Sequence, residues 1–158
     1  MIAVRPAGPD DAEAIRAVHV AAFGRAAEAD LVAALPPVIS LVDEEVRGHV
    51  LLSEAFVGDH AVLALGPLGV LPAAQGQGLG RALVREAVAR ARETAYPLIV
   101  VLGHPAFYGK LGFEPARRLG VRAPFKLEDV AAWRALRLPR WSEDVRGTMR
   151  YPDACSRV

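Results

Sequence analysis

The sequence predicts a mixed α/β (α+β) fold in which helices flank a mostly antiparallel sheet that holds a central parallel strand pair. Three observations predict it. Val and Leu crowd three runs between residues 38 and 71, separated by short turn-forming clusters, as in antiparallel hairpins. Between residues 78 and 94 the apolar positions recur at helical spacing. The unbroken apolar run Leu98-Ile99-Val100-Val101-Leu102 is too short for a helix and reads as a strand buried on both faces, central and parallel to the strand before it.

The elements follow in order. Pro9-Asp10-Asp11-Ala12-Glu13 opens a first helix, with Asp10 as its cap and Glu13 three residues on completing a capping box. Ile15, Val18, Ala22 and Phe23 share one face until Gly24 stops it. A shorter helix, 26–35, is expected to bury Leu31, Val32 and Leu35 and to end at Pro36-Pro37, where proline breaks the hydrogen-bond ladder. Strands are expected at 38–42, 48–57 and 61–71, with turns at Asp43-Glu44-Glu45 and Gly58-Asp59-His60. In the helix at 78–94, Leu79, Leu83, Val84, Ala87, Val88 and Ala91 form the apolar face, while Arg81, Arg85, Arg92 and Glu93 take the other. Beyond 102 come a short helix around 107–111 and strands near 120–124, 133–138 and 147–151.

Composition limits what such a chain can do. Its 158 residues, 53% hydrophobic, suit one domain over 1–158 with a single core. The absence of a long apolar run and of a leader at Met1-Ile2-Ala3-Val4-Arg5-Pro6 points to a cytoplasmic protein with no membrane partner. Cys155, the only cysteine, is expected to be a bystander, and no Cys/His spacing marks a metal site. Residues 1–114 carry 9 basic and 13 acidic side chains, against 10 and 5 in 115–158. That basic tail lacks the aromatic interleaving that stacks bases, so nucleic acid is not expected as a partner.

Strand, glycine-rich turn and helix form an arrangement that binds phosphate, because the first helical turn leaves N–H groups unpaired at the positive end of the dipole. Gly76, Gly78 and Gly80 allow close approach to the backbone. A dinucleotide fingerprint would need Gly or Ala where Arg81 stands, and no Gly-Lys-Ser/Thr makes a nucleotide P-loop. Residues 68–80, Leu-Gly-Val-Leu-Pro-Ala-Ala-Gln-Gly-Gln-Gly-Leu-Gly, instead resemble the coenzyme A signature of the GNAT (GCN5-related) N-acetyltransferases, with Gln75, Gly78 and Gly80 at its defined positions. Phe107-Tyr108-Gly109-Lys110-Leu111-Gly112-Phe113 resembles a second block of that family. Gly103-His104-Pro105 and Arg150-Tyr151-Pro152 are similar to a bacterial subgroup of predicted acetyltransferases.

The resemblance implies an N-acetyltransferase with acetyl-CoA as co-substrate and no metal, acting on a primary amine of a small molecule or peptide by direct attack in a ternary complex; a homodimer is compatible with it. Pantetheine would lie along Leu68, Gly69 and Val70, the pyrophosphate would rest on Gln75, Gly76, Gln77, Gly78, Leu79, Gly80 and Arg81, and Phe107 would pack nearby. Tyr108 would be the proton donor to the leaving sulfur, since a phenol of pKa about 10 stays protonated at neutral pH. The base is open among His104, Glu54, Glu28 and water. A different class, an acyl-CoA-binding sensor without turnover, would keep the groove without using Tyr108.

Overall fold

The computed structural model describes residues 2–152, so Cys155 lies outside the described residues. Strand β1 (Val4–Pro6) leads into α1 (Ala12–Phe23), α2 (Ala27–Ala34) and three successive strands, β2 (Pro37–Asp43), β3 (Gly48–Val57) and β4 (His60–Val70). Then come α3 (Leu79–Ala91), β5 (Leu98–Leu102), α4 (Pro105–Lys110), β6 (Glu114–Pro115), β7 (Val121–Arg122), β8 (Trp133–Arg137) and β9 (Gly147–Arg150). The sheet runs β1-β2-β3-β4-β5-β8-β6. Along it only β4 and β5 pair in parallel, and β9 adds to the far end of β3. None of the helices among the described residues is long and apolar enough to cross a membrane.

Several local expectations need correction. The first helix is entered through Asp11, not Asp10: the Asp11 carboxylate accepts the Gly8 N–H at 2.7 Å and both terminal nitrogens of Arg5 at 2.8 and 3.0 Å. In α2 the sealed residues are Ala29 and, at its end, Leu35, while Leu31 and Val32 stay half-buried. The strands β1 and β6 were not expected; at three and two residues they are too short to show a period of two. The turn after β2 closes because Asp43 accepts the backbone N–H groups of Arg47 and Gly48, at 2.7 and 2.9 Å.

Two layers cover the sheet. On one face α3 buries Leu79, Leu83, Val84, Ala87 and Ala91 against Val50, Leu52, Leu63 and Leu65, and each large side chain so removed from water contributes about 1.5 to 3 kcal/mol. On the other lies α1. Its His19 is wholly buried and joined to β3 by a 2.8 Å bond between His19 Nε2 and His49 Nδ1, and His49 Nε2 lies 2.8 Å from Ser40 Oγ on β2. Since His19 Nδ1 has no partner among the described residues, a bare lone pair there is the less costly tautomer; His19 Nε2–H then donates to His49 Nδ1, and His49 Nε2–H to Ser40 Oγ.

One irregularity shapes the site. Val50 faces Leu68 while Leu52 faces Leu65, so β4 inserts Gly66 and Pro67 opposite the single residue Leu51 of β3. This bulge bends β4. It also switches the alternation: Leu63 and Leu65 before it, and Leu68 and Val70 after it, all belong to the α3 face. Pairing with β5 covers only Leu63↔Ile99 and Ala64↔Val100. Beyond Ala64 the two strands separate and leave a gap through the sheet.

Candidate active site

The gap opens into a cleft of about 760 Å³. It is walled by the far half of β4, the loop into α3, the end of β5, α4 and the junction of α1 with α2. Of the residues that the sequence points to, Leu68, Val70, Gln75, Gly76, Gly78, Leu79, Gly80, Arg81, Phe107 and Tyr108 line it together. Gly69 and Gln77 do not. Gly69 faces the other side of β4, where an added Cβ would come within 2.7 Å of His19 Nδ1, and any ligand contact it makes must use its backbone.

The loop has the backbone geometry and the free donors that can hold an anion. Gly76 and Gly78 have φ of 77° and 85°, a left-handed conformation that L side chains rarely adopt. The Gln75 side chain donates to the Val70 carbonyl at 3.1 Å and fastens the loop to the end of β4. The first helical bond runs from Ala82 N to Gly78 O, and the N–H groups of residues 76–81 have no partner among the described residues. These free donors stand at the positive end of a 13-residue helix, and the Arg81 guanidinium, free of any ion pair among the described residues, stands beside them. Gly80 leaves the groove floor open: a Cβ there would touch Phe107, Val70 and Leu68 at 3.7 to 3.9 Å.

Across the cleft, Tyr108 is 6% exposed, its ring held edge-on by Phe107 at 4.9 Å and Phe113 at 5.4 Å. Gly103 is required behind it, because a Cβ there would stand 2.3 Å from Tyr108 Cε2. The phenol makes no side-chain hydrogen bond among the described residues. Its oxygen is not one of the sealed unpaired polar atoms, which are His19 Nδ1 and Trp141 Nε1, so it opens to the cleft. Burial pushes its pKa up to about 12, and the hydroxyl keeps its proton. A neutral donor without a side-chain partner among the described residues thus borders the same cleft as the loop.

The acid-base groups separate. Glu28 and His104 line the cleft, whereas Glu54 does not, and instead accepts the Tyr96 hydroxyl at 2.7 Å on another part of the surface. Glu28 is gripped by Arg25, whose Nε lies 2.9 Å from it, and this hydrogen bond holds the carboxyl below its ordinary pKa. His19, beside Glu28 and Phe23, was missed from the sequence because its bond to His49 spans 30 positions. Among the described residues no three His, Cys, Asp or Glu are grouped as a metal site.

Residues 37–115 match the family model described as "Acetyltransferase (GNAT) domain". The chain is 35% identical over 159 residues to the uncharacterized N-acetyltransferase YjhQ of Escherichia coli (strain K12), a match that covers 90% of this chain and 88% of the relative. It is similar in structure to the GNAT family N-acetyltransferase YhbS of Escherichia coli, solved in complex with CoA: the TM-score is 0.87 at 31% identity, over 98% of this chain and 92% of that one. A GNAT family acetyltransferase of Brucella melitensis in complex with acetyl-CoA gives a TM-score of 0.81 at 30% identity, with 98% of each chain covered.

Proposed function

The chain belongs to the GNAT acetyltransferase family, and from that premise we propose that it moves the acetyl group of acetyl-CoA to a primary amine of a small molecule or peptide by direct attack in a ternary complex. The observation that carries this reading is that a loop with five lining residues, Gly76 and 78–81, whose amides have no partner among the described residues, and a protonated tyrosine likewise without a side-chain partner there, border one cleft. Pyrophosphate rests on the amides of residues 76–81 and on Arg81, and pantetheine runs along the β4 edge that β5 leaves free, over Leu68 and Val70 beside Phe107. The neutral amine attacks the thioester carbon, an N–C bond forms and the C–S bond breaks. The proton lost by the ammonium form passes to Glu28, His104 or water.

Burial pushes the Tyr108 pKa up to about 12, which disfavours complete transfer of its proton to the departing thiolate. The hydroxyl therefore acts by donating a hydrogen bond to the departing sulfur, and the sulfur gains its proton from the attacking nitrogen or from water. Tyr108→Phe keeps the ring and removes that donor. Its kcat is expected to fall by roughly 10- to 10⁴-fold, with the Kd for acetyl-CoA nearly unchanged. A stable Phe variant with normal kcat would overturn the role.

A further inference from the structure

Among the described residues six large apolar side chains stay substantially exposed, and two of them, Phe23 at 40% and Leu102 at 50%, line the cleft. Scattered surface hydrophobics need no explanation, but two on one cavity from separate elements do. Leu102 alternates in β5 with Leu98 and Val100, which belong to the core on the face away from α3. Phe23 ends α1, on that same face. Its ring lies 6.0 Å from His19 and nearly parallel to it, at 12°, so the buried His19–His49 pair sets its angle. The cleft therefore has a phosphate end at α3 and an apolar end across the sheet.

At the apolar end stands Glu28, the only carboxylate on the cleft wall among the described residues, its side chain 14% exposed. Arg25 takes one lone pair from each carboxylate oxygen and leaves the others for a second cation. From Phe23, Leu102 and Glu28 we propose that the acceptor is a primary amine on a compact apolar body of the arylalkylamine type. Its body sits against Phe23 and Leu102, and its ammonium is drawn in by Glu28 before it is deprotonated for attack. The proposal rests on the acetyltransferase reading. A polyamine would need several carboxylates, and an amino sugar a ring of polar side chains; beside Phe23 and Leu102 the wall offers one carboxylate, Glu28, and one imidazole, His104.

The test compares kcat/KM for phenethylamine, spermidine, glucosamine and a tripeptide with a free N-terminus, on the intact protein with saturating acetyl-CoA. Phenethylamine is expected to lead. Phe23→Ala and, separately, Leu102→Ser should each cut its kcat/KM by roughly 10- to 200-fold, the range for one apolar pocket contact, while leaving the Kd for acetyl-CoA unchanged. Both positions are exposed enough for the variants to fold, which a melting curve checks. Glu28→Gln should raise the KM for phenethylamine and flatten its salt dependence. Preference for spermidine, glucosamine or the peptide would overturn the substrate class alone, as would folded Phe23→Ala and Leu102→Ser variants of unchanged kcat/KM. Acetyl-CoA binding without turnover of any amine would defeat the transferase reading itself.

Discussion

At the scale of single residues, three glycines of the cleft have different reasons to be glycine, and the differences make separate predictions. Gly78 holds a positive φ, so any substitution there mixes backbone strain with lost binding. Gly80 does not: it is the second residue of α3, and a Cβ would meet only ordinary contacts. Gly80→Asp should therefore leave stability unchanged or raise it, because an acidic residue in the first turn is worth about 0.3 to 1 kcal/mol. The same charge stands where phosphate should rest, so the Kd for acetyl-CoA should rise at least 10-fold. Calorimetry and a melting curve on one preparation read the two opposite signs, and unchanged affinity would remove the anion site. Gly103 answers to Tyr108. Gly103→Ala must displace the phenol ring, so its kcat should fall by a factor similar to that of Tyr108→Phe, and combining the two changes should cost little more than either one, as for groups that act as a unit. Fully multiplicative losses would argue that the ring position is unrelated to the chemistry.

At the scale of elements, α1 is tied to the sheet by two buried imidazoles. Burial lowers the pKa of His19 to about 4; it also lowers that of His49, to about 3, and His19 adds a smaller contribution there. Both lie below the unfolded value near 6.5. Between about pH 6.5 and 4 the unfolded chain binds protons that the folded chain refuses, so stability falls as pH falls through that window. Above 6.5 these groups contribute no slope. Each histidine accounts for roughly 1.4 kcal/mol per pH unit there. The carboxylates with depressed pKa, Asp11 and Asp43 among them, lose their contribution only lower, below about pH 4. Melting curves at pH 7.5, 6 and 5 should show the decline, and His19→Leu combined with His49→Leu should flatten it. An unchanged slope in the double variant would assign the effect elsewhere. The sequence could not announce this tie, since neither histidine lies in a motif and only the packing of α1 across β3 brings them together. It did announce α3 and β5, because thirteen residues of clear period and five unbroken apolar ones are strong local signals. Gly69 shows the limit in between: its motif was legible, but the face it turns to depends on the bulge at Gly66 and Pro67, which hairpin patterning does not encode.

For the whole molecule, the sequence carried the architecture of the sheet well and the cleft only in part. The loop and Tyr108 are contiguous motifs, whereas Phe23, Glu28 and Leu102 come from three elements and meet only after folding. Glu54, equally plausible in one dimension, ends on another part of the surface. Because the cleft draws on nearly every layer, ligand binding should stabilise the entire domain. At 100 times its Kd, acetyl-CoA should add about 2.7 kcal/mol and raise Tm by roughly 5 to 10 °C for a chain of this size. No shift at saturation would mean that the cleft does not hold the cofactor.

The two paired residues that join β4 to β5 have a mechanical meaning as well. Strands β1 to β4 form one plate and β5, β8 and β6 another, and along the strand order this short parallel contact is the weld between them. Under load, or in slow spontaneous opening, the plates should part there before the long antiparallel ladders give way, with the β5 amides that face β4 exchanging with solvent early for so buried a strand. A pantetheine arm lying in the open part of the seam would act as a strut across both plates. Its arrival should slow exchange on β5 as much as on the loop that it touches.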